Sequence, residues 1–141
     1  MHTLLTEEWN AEPNAPEAII TVNGSTVTLD FFVNYHLFER FRKGDKAGIV
    51  FYKCHKYSFN TMNDEGYYRG QYRYKDSTLP WGEFYRLDTN WKVDFPSNPT
   101  VLIDMPNDKK QKHYIFFFKD NTFECIAEGY QLRFYREVPN D

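Results

Sequence analysis

The stretch from His113 to Tyr135, HYIFFFKDNTFECIAEGYQLRFY, constrains the fold more than any other part of this chain, because its residue order sets strand faces, a turn and a change of register. Side chains alternate across an extended chain. After a turn expected at Lys119-Asp120-Asn121-Thr122, the residues Phe123, Cys125 and Ala127 share an inward side, and Glu124, Ile126 and Glu128 share a mostly acidic outward side. Beyond Gly129 the apolar set moves from odd to even positions, Tyr130, Leu132 and Phe134, so one residue has been inserted. A bulge at Gly129 in one long bent strand is preferred to a tight turn at Glu128-Gly129, since Glu-Gly lacks the Asn or Asp of a tight hairpin. Before the turn, His113 to Phe118 is apolar on both sides, as expected of a central strand covered on two faces.

The remaining chain reads as further strands. Asn23-Gly24 is a hairpin signal, and pairing across it sets Val22 opposite Ser25, Ile20 opposite Val27 and Ala18 opposite Leu29. The segment Asp30 to Lys43 fits two patterns. Asp30 as a cap and Gly44 as a stop describe a helix, whereas Phe31, Val33 and Tyr35 continue the alternation of the hairpin; strand is favoured through Val33, with the remainder as the one short helix. One long strand is expected from Ile49 to Phe59, another from Tyr67 to Tyr74, and another from Trp81 to Leu87. Asp88 to Asn98 is loop-like, anchored by Trp91, Phe95 and Pro96. Val101 to Met105 is expected to form a hairpin with His113 to Phe118. Many short strands with at most one short helix, within 30–43, give an all-β, mainly antiparallel barrel or sandwich.

At 141 residues the chain is large enough for one self-sufficient core. The expected division is a mobile N-terminal arm over 1–16, whose Trp9 needs a dock, and one antiparallel β domain over 17–141. With 17 basic against 20 acidic residues and a net charge of -3, the overall field disfavours nucleic acid and anionic membranes as partners. No run approaches the ~20 apolar residues of a membrane span. Cys54 and Cys125 lack CxxC neighbours, and the first residues lack a basic start before an apolar core, so a soluble cytoplasmic protein with reduced thiols is expected.

Motifs for chemistry are sparse. His36, His55 and His113 stand in separate segments without thiols nearby in sequence, so no metal site and no cofactor are expected. Cys54 and His55 are adjacent, which in a strand sends them to opposite faces, and Cys54 reads as a small packed hydrophobe. GxSxG, phosphate-loop and HExxH patterns are missing, and the chain reads as non-enzymatic. The best enzyme case is a pair of carboxylates, Glu83 between Trp81 and Tyr85, and Glu124 on another strand, set for a saccharide if they share a cleft. Arg69, Gln71 and Arg73 form a row of planar donors that Arg86 extends if the strands pair, while Tyr68 and Tyr72 point away from it, against stacking on RNA.

Aromatic residues make up 19% of the chain, with 13 Phe, 11 Tyr and 3 Trp. The reading they favour is a small-molecule binding protein whose inward rings, Phe51, Tyr72, Phe117, Phe123, Tyr130 and Phe134, line a cavity for an apolar or aromatic ligand. Its ligand site is placed at Arg69, Tyr72, Arg73, Trp81, Glu83, Tyr85, Arg86 and Phe117. The first alternative is a protein-binding inhibitor or immunity-type module using exposed Trp9, Trp81, Tyr85 and Trp91. The second is the saccharide-acting enzyme.

Overall fold

The computed structural model describes residues 2–60, 83–93, 95–96, 98–119 and 121–136. They form two packed antiparallel sheets and, among the described residues, no helix. The strands are β1 (His2–Leu4), β2 (Ile19–Asn23), β3 (Thr26–Phe32), β4 (Asp45–Tyr52), β5 (Lys56–Asn60), β6 (Phe84–Leu87), β7 (Thr100–Val101), β8 (Lys112–Phe117), β9 (Thr122–Ala127) and β10 (Gly129–Arg136). A six-stranded sheet runs in the order β1-β6-β8-β9-β5-β7, and a four-stranded sheet in the order β10-β4-β3-β2. Among the described residues the sheets are not closed into a barrel, consistent with a sandwich.

The parity change near Gly129 marks the place where the chain leaves one sheet for the other. β9 belongs to the six-stranded sheet and β10 to the four-stranded one, with Glu128 between them. The inserted residue is a corner rather than a bulge within one ladder, a device that lets a strand contribute to both layers. Beside it, β4 and β5 make the reverse crossing, so the long strand expected from Ile49 to Phe59 is broken into two. Lys53 takes a left-handed φ of 51° there. The two crossings are joined: the Glu128 amide donates to the Tyr52 carbonyl at 3.0 Å and the His55 amide to the Ile126 carbonyl at 2.8 Å. Cys54 and Cys125 lie buried at this corner with free thiols, and burial together with contact with Cys54 pushes the Cys125 thiol well above its ordinary range.

Phe123, Cys125 and Ala127 from β9 face the inter-sheet core with Phe84, Tyr114 and Phe116, opposite Val27, Leu29, Phe31, Ala47, Ile49 and Phe51 of the other sheet. The rings touch one another: Phe31 meets Phe116 with centroids 4.9 Å apart, and Phe51 meets Phe123 at 5.3 Å. β8 is central and buried on both faces, as its two-sided apolar sequence requires. On the side of β9 expected to face outward, Glu124 and Ile126 are buried as well, both 0% exposed, while Glu128 is half-buried.

Several local expectations are corrected. The β2–β3 hairpin pairs Val22 with Val27 and Ile20 with Leu29, because Gly24 and Ser25 form the two-residue turn and Gly24 takes a φ of 62° at its first position. The faces survive, since each partner moves by two residues along β3. The helix within 30–43 does not form: Asp30 is a β3 residue paired with Gly48, and its carboxylate accepts the Tyr135 hydroxyl at 2.8 Å instead of capping. Turns follow, held by the Asn34 side chain, which accepts the amides of His36 and Leu37 at 3.0 and 3.2 Å. Thr100–Val101 pairs with β5 at one edge and makes no hairpin with β8, whose partners are β6 and β9. The expected strand Tyr67 to Tyr74 lies outside the described residues.

The N-terminal segment is built into the sandwich. β1 pairs with β6 at the edge, and Ala11 bridges Val33. The Glu12 amide donates to the Phe32 carbonyl and the Asn34 amide to the Asn10 carbonyl, both at 2.9 Å. Trp9, 4% exposed, docks against Phe31, Phe116 and Phe134.

Candidate functional site on the outer face of the larger sheet

Strand alternation puts Leu87 of β6, His113 and Ile115 of β8, and Glu124 and Ile126 of β9 on the face of the larger sheet turned away from the core. From the loop that follows β6, Trp91 and Phe95 meet residues of this face and its edge. The Phe95 ring sits 5.5 Å from the His113 ring, and the Trp91 ring meets His55 edge-on at 5.6 Å. Lys56, on β5 opposite Ile126, sets its ammonium 4.8 Å from the Phe95 centroid and 5.8 Å from that of Trp91. Burial pushes its pKa down. The loop anchors expected from sequence, Trp91, Phe95 and Pro96, are half-buried here.

At the centre stands a chain of three polar side chains. Thr89 Oγ1 lies 2.5 Å from His113 Nδ1, and His113 Nε2 lies 2.6 Å from Glu124 Oε2. The imidazole and carboxylate are both 0% exposed. An ionised Glu124 only accepts, and in that state the His113 Nε2–H donates to it. In the neutral ring Nδ1 is then the acceptor, and the Thr89 hydroxyl donates to it. With Glu124 ionised the carboxylate selects this tautomer, and the hydroxyl of half-exposed Thr89 donates to Nδ1.

Thr89 and His113 line a cavity of about 570 Å³ at the end of β6 and β8, together with Arg86, Trp91, Gln111 and Lys112. Its volume is that of a small-molecule site. Gln111 is 7% exposed; its Nε2 donates to the Lys53 carbonyl at 3.4 Å, while its Oε1 is buried with no hydrogen-bond partner. Burying an unpaired amide oxygen costs roughly 1–3 kcal/mol, so the position invites a donor from elsewhere. Arg86 is half-buried at the rim. Its positive charge opposes the rise in the pKa of Tyr114, which burial pushes up to about 12.

Of the residues singled out from sequence, those among the described residues fall at different places. Arg69, Tyr72, Arg73 and Trp81 lie outside the described residues. Arg86 lines the cavity. Tyr85, 1% exposed, and Phe117, 0% exposed, lie on the outer face with centroids 6.1 Å apart. Phe117 was expected among the rings between the sheets; β8 alternation gives that role to Phe116 and Phe118 instead. Glu83 accepts hydrogen bonds from the Thr6 hydroxyl and, at 3.1 Å, from Asn10 Nδ2, so it ties down the N-terminal segment while Glu124 holds His113. Of the four rings offered as an exposed protein-binding set, Trp9 and Tyr85 are buried and Trp91 is half-buried.

Thr89 and Gln111 went unnoticed in the sequence because nothing local distinguishes them. The link between His113 and Glu124 had a signal: across the β8–β9 ladder His113 pairs with Ile126 and Ile115 with Glu124, which makes His113 and Glu124 diagonal neighbours on one face. Among the described residues no cluster of three or more His, Cys, Asp or Glu is arranged to hold a metal ion, and no helix is long and apolar enough to cross a membrane. Compared with protein-family models, with curated proteins and with solved structures, the chain matches none of them.

Proposed function

We propose that this protein binds a small molecule with a flat apolar body and a hydrogen-bond donor, in the cavity bounded by Arg86, Trp91, Gln111 and His113. The ligand class is the aromatic one expected from the sequence; the location moves from the sandwich interior, where rings pack on rings, to the outer face. The observation that carries the reading is that Gln111, whose side-chain oxygen is buried without a partner, lines the cavity. A donor on the ligand satisfies it, Trp91 supplies an apolar surface, and Arg86 favours an anionic substituent at the rim.

Indole-3-carboxamide and indole-3-acetate are suitable probes, read by native mass spectrometry and by thermal shift. Gln111→Leu removes both an unpaired oxygen and the long hydrogen bond to the Lys53 carbonyl, effects of opposite sign that leave a net change in stability of about 1 kcal/mol or less. The same change weakens carboxamide binding about tenfold or more, the equivalent of one lost buried hydrogen bond. Failure of both probes to bind, or equal binding by wild type and Gln111→Leu, contradicts the proposal.

A further inference from the structure

The hydroxyl, imidazole and carboxylate chain on the cavity wall supports more than binding. We propose that Thr89 is a nucleophile that accepts an acyl group from an activated ester held in this cavity. The inference rests on the cavity admitting a small molecule, which is the reading above. Three observations support it independently of any ligand. Thr89 is half-exposed and lines the cavity, which puts its side chain beside the space a small ester would occupy. It lies 2.5 Å from His113 Nδ1, the distance of a hydroxyl paired with its general base. Glu124 is fully buried and lies 2.6 Å from Nε2, placed to hold the ring proton on the nitrogen away from Thr89. Nucleophile, base and orienting group thus stand in series, as an activated hydroxyl requires.

In the step proposed, Thr89 Oγ1 forms a bond to the acyl carbon as its proton passes to His113 Nδ1. The ester C–O bond then breaks, and the departing alcohol takes that proton from Nδ1. The products are an ester on Thr89 and the free alcohol. Water attacking the Thr89 ester by the same route releases the carboxylic acid and restores the hydroxyl, with Nδ1 again carrying the proton between the two oxygens. Glu124 is a positioning residue: it acts through the imidazole and touches no substrate.

The test uses the full chain and p-nitrophenyl acetate near neutral pH, following release of p-nitrophenol and mapping acetyl groups by peptide mass spectrometry. Release that falls about 100-fold in both Thr89→Val and His113→Gln, the size of a lost nucleophile or general base, supports the inference. So does an acetyl group on Thr89. Thr89→Val is close in shape and half-exposed, so circular dichroism matching wild type certifies its fold where His113→Gln destabilises. Glu124→Gln offers Nε2 an amide donor, which moves the ring proton to Nδ1; loss of release accompanied by that change in the His113 ¹⁵N resonances marks a positioning role. Acetylation confined to lysines, with release unchanged in Thr89→Val, overturns the inference. Indole binding by the same samples separates the readings: probes that bind without chemistry at Thr89 leave the binding proposal standing and remove this one.

Discussion

Replacing Trp9 by Ala tests whether the N-terminal segment is an integral part of the core. The indole is 4% exposed and meets three rings, Phe31 at 6.0 Å, Phe116 at 6.2 Å and Phe134 at 5.6 Å, so truncation removes contacts to both sheets at once. Large aromatic-to-alanine changes in cores cost about 3–5 kcal/mol, and a domain of this kind has only about 5–15 kcal/mol in total. At roughly 3 °C per kcal/mol for a chain of this length, the melting temperature falls by about 10 °C or more. The cavity left between Phe31 and Phe116 cannot collapse freely, because backbone bonds from Glu12 to Phe32 and from Asn34 to Asn10 hold the segment on either side. Urea denaturation followed by circular dichroism measures the loss, since it needs no contribution from the removed fluorophore. A loss below about 1 kcal/mol refutes the reasoning and returns residues 1–16 to the status of a loosely attached arm.

Two further predictions concern the frame that holds the site. Arg136 donates to both Asp45 oxygens, at 2.6 and 3.0 Å, and this pairing, with the Arg42 amide, holds the Asp45 carboxyl below its ordinary 3.8. A depressed carboxylate contributes stability that is complete above its unfolded pKa and is lost as pH falls toward the folded one. Urea midpoints measured from pH 6 down to about 3 therefore fall more steeply for wild type than for Asp45→Asn; parallel curves would refute the pairing. At the corner between β9 and β10, Gly129 has no left-handed φ, and a Cβ there meets nothing within 4 Å. Gly129→Ala should be neutral or stabilise by up to about 1 kcal/mol, whereas Gly24→Ala, at a φ of 62°, should destabilise by about 1 kcal/mol or more. The opposite order in thermal melts would contradict the corner geometry.

Sequence order revealed the layers better than it revealed the connections. Alternation and two-sided burial located β8, β9 and β10 and their faces, because those properties belong to each strand by itself. It did not reveal that β4 to β5 and β9 to β10 each cross between sheets, since a corner keeps the chain extended and imitates a bulge or an unbroken strand. Val101 was given the wrong neighbour for a related reason: strand pairing depends on distant contacts, and β7 lies at an edge with only two paired residues. At the candidate site Arg86, Trp91, His113 and Glu124 were visible as residue types. Their convergence was not, because Thr89 and Gln111 reach the cavity through loop placement, and because a buried acid on an apparently outward face looks in sequence like a solvated one.

The role proposed for the buried Glu124 is to fix the tautomer of His113 and so prime the Thr89 hydroxyl beside the cavity. The ¹⁵N resonances of the His113 ring at neutral pH test this most directly, with Glu124→Gln as the reference. The expected result is a protonated Nε2 and an unprotonated, hydrogen-bonded Nδ1 in wild type, reversed in Glu124→Gln. A wild-type ring with its proton on Nδ1, or one that averages freely between the two forms, would contradict it.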